Sequence, residues 1–317
     1  VNTEAELAQY AGKLRGKYLM MGEDLKIEPP NTIIFERLGS EKLNSLKDAD
    51  VGARPSYESA MTKALRASRK QAYQFNKALS AFLVKEQAAG VIYRSSRQGG
   101  LVRVFGKSHK IGETFGVPAI IIEQEDYGQL LRMLDRKEQP QLTLDIKAQF
   151  HDDDKNAYNT LAEIPGSDKN GEVVMVGAHL DSWHASDGAV DNGAGVAVAM
   201  ESVRILSKLK VKPKRTIRIA LWSGEEQGLY GSRAYVNDFL ASRPAPTDPA
   251  EKALPRYLWS SPGWPIAPKA GYDKLSVYLN MDNGSGRFRG IYTEGNVAVK
   301  PVFTDWFGPY MDLSSGT

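Results

Sequence analysis

The chain has 317 residues, 42% of them apolar and 25% charged, which suits a globular protein of two domains or one large α/β domain. Lysine and arginine (41) nearly balance aspartate and glutamate (38), and a net charge of +3 argues against nucleic-acid binding, which needs a concentrated basic face. Cysteine is absent, which excludes disulfides, thiolate metal sites and a cysteine nucleophile. No apolar run approaches the roughly 18 residues of a membrane span.

The first half of the chain predicts a mixed α/β unit over residues 1–150. Short apolar or alternating runs between turn residues predict strands at 16–21, 31–38, 90–96, 117–126 and 141–150. Apolar residues at helical spacing predict helices at 56–90 and 127–139. In the longer helix these residues are Leu65, Ala72, Phe75, Leu79, Phe82 and Leu83. The acidic stretch 151–159 then indicates a domain boundary.

The second half, residues 151–317, alternates strands with helices, which indicates an α/β sheet with helices on both faces. The predicted strands are 172–178, 215–223 and 274–281, and the predicted helices are 194–209 and 231–242. In the first of these helices we expect one apolar side, formed by Val196, Met200, Val203 and Leu206. A proline-rich stretch, 241–273, precedes the last strand, and it either walls a substrate pocket or packs on its own aromatic residues.

Ligand-type side chains follow each of the three predicted strands of the second half. They are His179 and Asp181 after the first, Glu225 and Glu226 after the second, and Asp282 after the third. Ligands of open α/β sheets bind outside the carboxyl ends of the strands, so this coincidence predicts a functional site at that edge.

The residue types at this edge favour a catalytic divalent metal. One imidazole with several carboxylates and no thiolate suits zinc or another first-row metal. Asp191, at the start of the following helix, could bridge two ions roughly 3.5–4 Å apart, as in aminopeptidases. Of the adjacent Glu225 and Glu226, one could bind metal while the other acts as general base. The alternative for this pair is a charge that merely complements a helix N-terminus.

Four segments together resemble the zinc-dependent aminopeptidase and glutamate carboxypeptidase family with co-catalytic zinc ions. They are "GAHLDSW", "DNGAGVAVAMESVRIL", "IRIALWSGEEQGLYGSRAYV" and "YLNMD". The resemblance covers roughly residues 157–317. It implies a catalytic core in which helices flank a mixed β-sheet on both faces. "AGVIYRSS" and "GVPAIIIEQEDYGQLLRML" resemble, more weakly, the smaller protease-associated domain that precedes this core in many members.

The family resemblance also implies roles for individual residues around two zinc ions. One ion would be bound by His179, Asp191 and Asp282. The second would take Asp191 and Glu226, which leaves Glu225 as the general base. Asp181 would orient the ligand histidine from behind.

One feature departs from the family pattern. The second zinc also needs a histidine near the carboxyl end of the catalytic domain, and no histidine follows Asp282. We expect this ligand beyond residue 317, in which case the chain as given has little or no activity. The alternatives are ligation by His184 and a metal-free homologue of receptor or scaffold type. His109 and His151 receive no role.

The sequence therefore predicts an exported metallopeptidase, secreted or periplasmic, that removes N-terminal residues from peptides through a metal-activated water with Glu225 as base. A carboxypeptidase or dipeptidase with the same metal chemistry is the alternative within enzymes, and a non-catalytic binding homologue is the alternative outside them. The expected partners are two zinc ions and peptide substrates, with no nucleic acid and no membrane span; homodimerisation is left open.

Overall fold

The computed structural model describes residues 3–27, 39–47, 59–104, 116–168, 170–260, 265–282, 284–286, 288, 290–293 and 295–313. Contacts divide the chain into two compact units, the first of residues 1–40 with 51–154 and the second of residues 41–50 with 155–317. The strand predicted at 31–38 lies outside the described residues. None of the described helices has the length and apolarity that crossing a membrane requires.

The first unit contains a three-stranded parallel sheet in the order β1-β2-β3. Its strands are β1 (Tyr18–Met21), β2 (Gly90–Arg94) and β3 (Ala119–Ile122). The α-helices in this part of the chain are α1 (Glu4–Leu7), α2 (Ser40–Lys47), α3 (Ala60–Lys85) and α4 (Gln124–Asp135), and a 3₁₀ turn, Ala8–Tyr10, follows α1. Residue 41 onward in α2 is grouped with the second unit.

Helix α3 confirms the longest predicted helix, although it ends earlier than expected. The Ser59 hydroxyl caps its start by accepting a hydrogen bond from the Thr62 amide at 3.1 Å. Leu79 and Leu83 are buried in the core of the unit, whereas Leu65 is exposed. The helix ends at Lys85, and Gly90, its predicted end, instead begins β2.

The prediction of a strand at 141–150 is wrong. These residues form no strand, and the apolar members of the alternating pattern are largely exposed. Alternation indicates a half-buried strand only if a neighbouring strand takes up the backbone hydrogen bonds. Within the described part of the chain, no strand pairs with this segment.

The second unit contains a mixed four-stranded sheet in the order β4-β6-β5-β9. Its strands are β4 (Thr160–Ile164), β5 (Val173–His179), β6 (Thr216–Trp222) and β9 (Leu275–Asn280). Strand β5 runs parallel to both β6 and β9, while β4 is antiparallel to β6. The carboxyl ends of β5, β6 and β9 therefore meet at one edge, as predicted.

Shorter elements complete the second unit. The α-helices are α5 (Ala194–Lys208), α6 (Tyr230–Tyr235), α7 (Pro249–Lys252) and α8 (Lys300–Phe307). Strands β7 (Ala241–Ser242) and β8 (Ala267–Pro268) pair antiparallel within the proline-rich stretch. Short 3₁₀ or π segments occupy Ala189–Gly193, Val236–Leu240, Arg256–Leu258, Tyr272–Lys274, Val297–Val299 and Gly308–Leu313.

Helices pack on both faces of the mixed sheet, which confirms the predicted layering. On one face, Ala199 of α5 packs with Ile219 and Leu221 of β6. On the other face, Tyr235 of α6 packs with Trp222. The predicted apolar side of α5 is corrected at one position, because Met200 is 54% exposed while Ala199 faces the sheet. Each helical residue turns about 100°, so neighbours point in different directions.

A hydrogen bond joins the two strands that flank β5. The Trp222 Nε1–H of β6 donates to the Tyr278 hydroxyl of β9 at 2.6 Å, and that hydroxyl donates to Asn280 Oδ1 at 2.6 Å. The bridge passes over Gly177 of β5, where a Cβ atom would lie 2.7 Å from the Tyr278 hydroxyl oxygen and 2.6 Å from the Ala220 carbonyl oxygen. Only glycine leaves room for this crossing.

We therefore expect Gly177→Ala to destabilise the second unit. Its methyl group meets backbone as well as the Tyr278 hydroxyl, and overpacking of this kind costs about 1–3 kcal/mol. Urea unfolding measures the change in the free energy of unfolding. Gly308→Ala is the control, since nothing lies within 4 Å of its added Cβ, and it should stay within about 0.5 kcal/mol of the parent. Equal effects of the two substitutions would contradict the steric explanation.

Candidate metal centre

The parallel register of β5 and β9 brings His179 and Asp282 together. Gly177 lies opposite Asn280, and the Met281 amide donates to the Gly177 carbonyl at 3.1 Å, which continues the ladder past the end of β9. Asp282 therefore lies beside His179, the last residue of β5. The distance between His179 Nε2 and Asp282 Oδ1 is 3.1 Å.

Asp191 approaches the same imidazole nitrogen from the turn before α5. The distance between His179 Nε2 and Asp191 Oδ1 is also 3.1 Å. One ligand atom each of His179, Asp191 and Asp282 lies within 4.8 Å of the others, and the described residues contain no second such group of three or more histidine or acidic side chains. The imidazole is almost fully buried, while the Asp191 side chain is 60% exposed and faces solvent.

Asn192 fixes the Asp191 turn to the end of β9, a role that the sequence analysis missed. Its side chain is 2% exposed, donates through Nδ2 to the Met281 carbonyl at 2.8 Å and accepts at Oδ1 from the Gly195 amide at 3.1 Å. A buried amide needs such partners. The segment 191–195 shows no periodicity that could have singled out this residue.

Asp181 connects the imidazole to the turn that follows β6. Its backbone carbonyl lies 2.9 Å from His179 Nδ1, and its carboxylate oxygen lies 3.6 Å from the same nitrogen. The two carboxylate oxygens accept hydrogen bonds from the backbone amides of Glu225 at 3.0 Å and Glu226 at 3.1 Å. Asp181 therefore lies behind the histidine and also holds the paired glutamates through their backbone.

The hydrogen bonding of His179 leaves the site short of positive charge. If Nδ1–H donates to the Asp181 carbonyl, a neutral ring presents the lone pair of Nε2 to two carboxylate oxygens. That contact is repulsive unless Nε2 carries a proton or a cation lies among the three groups.

The pKa shifts of the surrounding groups have the same cause. Burial, the largest influence, lowers the pKa of His179, but Asp282, the Asp181 carbonyl and Glu225 outweigh it and raise the pKa above its ordinary value. Burial is the main cause that raises the pKa of Glu225, where Asp282 adds to the effect and His179 opposes it. Burial and then the charge of Asp191 raise the pKa of Glu226. Negative charge is thus concentrated beyond what the histidine balances.

A buried atom of Glu226 supports the fit of a cation. Its Oε1 is buried and has no hydrogen-bond partner in the described structure, although a buried carboxylate oxygen is normally paired or bound to metal. One imidazole nitrogen with several carboxylate oxygens is a donor set suited to zinc. Glu226 lies outside the close group of three, and its pKa responds to Asp191. His184 and Asp187 are exposed and also outside that group.

Residues 159–300 match the model of peptidase family M28. This stretch, which is similar to that family, makes up less than half of the 317-residue chain. It is 41% identical over 119 residues to "Carboxypeptidase Q" of Xenopus laevis, a match that covers 38% of this chain and 25% of the relative. It is 35% identical over 151 residues to "Probable leucine aminopeptidase 2" of Arthroderma benhamiae, covering 48% of this chain and 28% of the relative. The chain thus spans about a quarter of the length of these curated relatives.

Two solved structures were also compared with the chain. A peptidase M28 precursor from Shewanella amazonensis is 21% identical, with a TM-score of 0.47, and the match covers 96% of this chain and 60% of that one. A zinc aminopeptidase from Bacillus subtilis is 29% identical, with a TM-score of 0.38, and the match covers 51% and 37% respectively.

The raised pKa of His179 predicts a pH dependence of the metal-free fold. A group whose pKa rises on folding stabilises the fold below its unfolded pKa, and this contribution is lost as pH rises through the folded pKa. In excess chelator we therefore expect the free energy of unfolding to fall as pH rises above 6.5, the ordinary value for histidine. Urea unfolding at a series of pH values between 6 and 9 measures this decrease in the free energy of unfolding.

The matched control for this pH dependence is His179→Gln, which keeps a polar side chain but cannot titrate. In this variant, the decrease in the free energy of unfolding that the parent shows above pH 6.5 should be absent. A parent protein whose stability stays constant or increases over this range, relative to the variant, would contradict the assigned direction of the shift.

Proposed function

We propose that this protein is a zinc exopeptidase that removes residues from the N-terminus of peptides. One observation carries the proposal: a buried imidazole faces two carboxylates at 3.1 Å, beside a turn that presents two further glutamates. Such a group at the carboxyl ends of parallel strands is a ligand-binding arrangement. The M28 family match over residues 159–300 supports the same chemistry.

The residues that would hold the metal follow from the donor set. His179, Asp191 and Asp282 would hold one zinc ion, and Asp191 with Glu226 would contribute to a second. Zinc held by these residues would lower the pKa of a bound water and polarise the scissile carbonyl. The unpartnered Oε1 of Glu226 supports its assignment as a ligand rather than as a surface charge.

Glu225 is the proposed general base. Its backbone is fixed by Asp181, and burial raises its pKa toward the working pH, as efficient proton transfer requires. Glu225 takes a proton from the attacking water and returns it to the leaving amine. Asp181 orients His179 and the glutamate turn, and does not itself exchange protons with the substrate.

Glu225→Gln should strongly lower kcat while leaving the metal bound. Removing a positioned general base costs about 10²–10⁴-fold in kcat. Hydrolysis of leucine p-nitroanilide by the complete natural protein, with zinc content measured in parallel, tests this expectation. A Gln variant with parental kcat would overturn the role of Glu225. A parent that binds no zinc and cleaves no peptide would favour the non-catalytic binding homologue.

Asp282→Asn should weaken zinc binding, whereas Asp187→Asn should not. Both residues are acidic, but only Asp282 contacts His179, and Asp187 is exposed in the loop between β5 and α5. Loss of one carboxylate ligand should raise the Kd for Zn²⁺ at least about tenfold, by comparison with the 10–100-fold cost of losing an outer partner. Calorimetric titration of the chelator-treated protein measures both constants. Equal Kd values for the two variants would contradict the assignment.

A carboxypeptidase or dipeptidase with the same metal chemistry is the second candidate. The observation that favours it is the 41% identity to a protein named "Carboxypeptidase Q". The two candidates differ in which charged terminus the substrate must present. Two substrates distinguish the candidates: an N-blocked dipeptide with a free carboxylate, and an aminoacyl nitroanilide with a free amine. Cleavage of the first alone would replace the aminopeptidase proposal.

The remaining proposals concern the rest of the protein. We propose that residues 1–150 form a protease-associated-like domain ahead of a catalytic domain at 151–317. The parallel sheet and helices of the first unit support a compact α/β domain. We further propose a secreted or periplasmic location. Homodimerisation is a separate question, and sedimentation of the complete natural protein would decide between a monomer and a homodimer.

A further inference from the structure

The two glutamates of the candidate site lie in a loop that is closed on itself by backbone hydrogen bonds. This glutamate loop comprises residues 223–231. At its base, the Gly231 amide donates to the Ser223 carbonyl at 2.9 Å and the Tyr230 amide donates to the Gly224 carbonyl at 2.9 Å. Further along, the Leu229 amide donates to the Glu225 carbonyl at 2.8 Å. Glu225 and Glu226 are therefore displaced if the base of the loop opens.

Asn159 joins the two ends of the glutamate loop from outside it. Strand β4 is antiparallel to β6, and Thr160 lies opposite Leu221, so the residue before β4 falls beside the first residues after β6. The Asn159 side chain accepts at Oδ1 from the Ser223 amide at 3.2 Å and donates through Nδ2 to the Gly231 carbonyl at 2.9 Å. One side chain thus satisfies backbone groups at both ends of the loop.

The contact between Asn159 and Gly231 is close enough to exclude other residues at position 231. A Cβ atom there would lie 2.1 Å from Asn159 Oδ1 and 2.5 Å from the Ser223 carbonyl oxygen. The absence of a side chain therefore lets the amide reach the backbone of the loop. This fit is local to the loop base and is distinct from the pairing of β4 with β6.

The other side of the glutamate loop is held by Asp181, whose carboxylate accepts the amides of Glu225 and Glu226. The loop is thus fixed at two places, at its base by Asn159 and near its tip by Asp181. Asp181 contacts the imidazole of His179, whereas both side-chain hydrogen bonds of Asn159 within the described part of the chain go to the loop. Any effect of Asn159 on chemistry must therefore pass through the loop.

We propose that Asn159 is a positioning residue that holds Glu225 and Glu226 in register with the metal-binding group by closing the base of the glutamate loop. The proposal rests on the proposed function for the roles of the two glutamates. A displacement of about 1 Å at a reacting group can cost about 10²-fold in rate. Loss of the Asn159 bridge should lower kcat in this way and leave KM nearly unchanged, because Asn159 does not contact substrate.

Hydrogen exchange and kinetics of Asn159→Ala and Asn159→Asp in the complete natural protein test the proposal. In the Ala variant, the amides of residues 223–226 should exchange at least about tenfold faster, because local opening exposes them. Its kcat should fall about 100-fold. The Asp variant keeps an acceptor for Ser223 but places a second carboxylate oxygen against the Gly231 carbonyl, so both effects should also appear in this variant.

Glu163→Ala is the matched control for a general loss of stability. Glu163 lies on the same strand, β4, and pairs with Arg218 of β6 without contacting the glutamate loop. It should leave the exchange of residues 223–226 and kcat close to parental values. If Glu163→Ala lost as much kcat as Asn159→Ala, the effect of Asn159 would be only a general loss of stability, and the proposal would be overturned.

Zinc titration separates the positioning proposal from the proposed function. The group His179, Asp191 and Asp282 lies outside the loop, so Asn159→Ala should change the Kd of its Zn²⁺ by less than about threefold, well below a tenfold loss worth 1.4 kcal/mol. If the parent has no peptidase activity, the proposed function fails, and the exchange of residues 223–226 alone decides the positioning proposal. Unchanged exchange in Asn159→Ala overturns it.

Discussion

The candidate site is organised around one electrostatic constraint: a buried imidazole nitrogen faces carboxylate oxygens of Asp191 and Asp282, each at 3.1 Å. Without a positive charge among them, this arrangement is repulsive, and burial makes the repulsion more costly than it would be in water. The raised pKa values of Glu225 and Glu226 arise from burial and from the same excess of negative charge. A bound cation would relieve all of these interactions at once.

The sheet of the second unit supplies the rigidity that this constraint demands. Three parallel strands end at one edge, and the bridge from Trp222 to Tyr278 over Gly177 joins the outer two. Groups carried on adjacent strands of a packed sheet hold their spacing more precisely than groups on free loops. The two acidic segments that are loops, at Asp191 and at Glu225, are each tied down by a buried or half-buried side chain.

Much of the fold followed from local pattern. The three parallel strands of the second unit were predicted from short apolar or alternating runs, and the helix α3 from apolar residues at helical spacing. The errors have a common origin in tertiary context. Residues 141–150 alternate like a strand but have no partner among the described residues, and Met200 has helical spacing but falls just outside the face that α5 buries. Periodicity in the sequence indicates which face tends to be buried, whereas tertiary packing decides which individual residues are buried.

The sequence by itself determined which chemistry is available: one histidine and several carboxylates placed at strand ends, with no thiolate in the chain. Only the tertiary structure decided how these groups are held. Asn159 and Asn192 act on partners 72 and 89 residues away, and the carboxylate of Asp181 acts on amides 44 and 45 residues away. Hydrogen bonds over such separations leave no periodic trace, because they depend on which strands become neighbours once the sheet has formed.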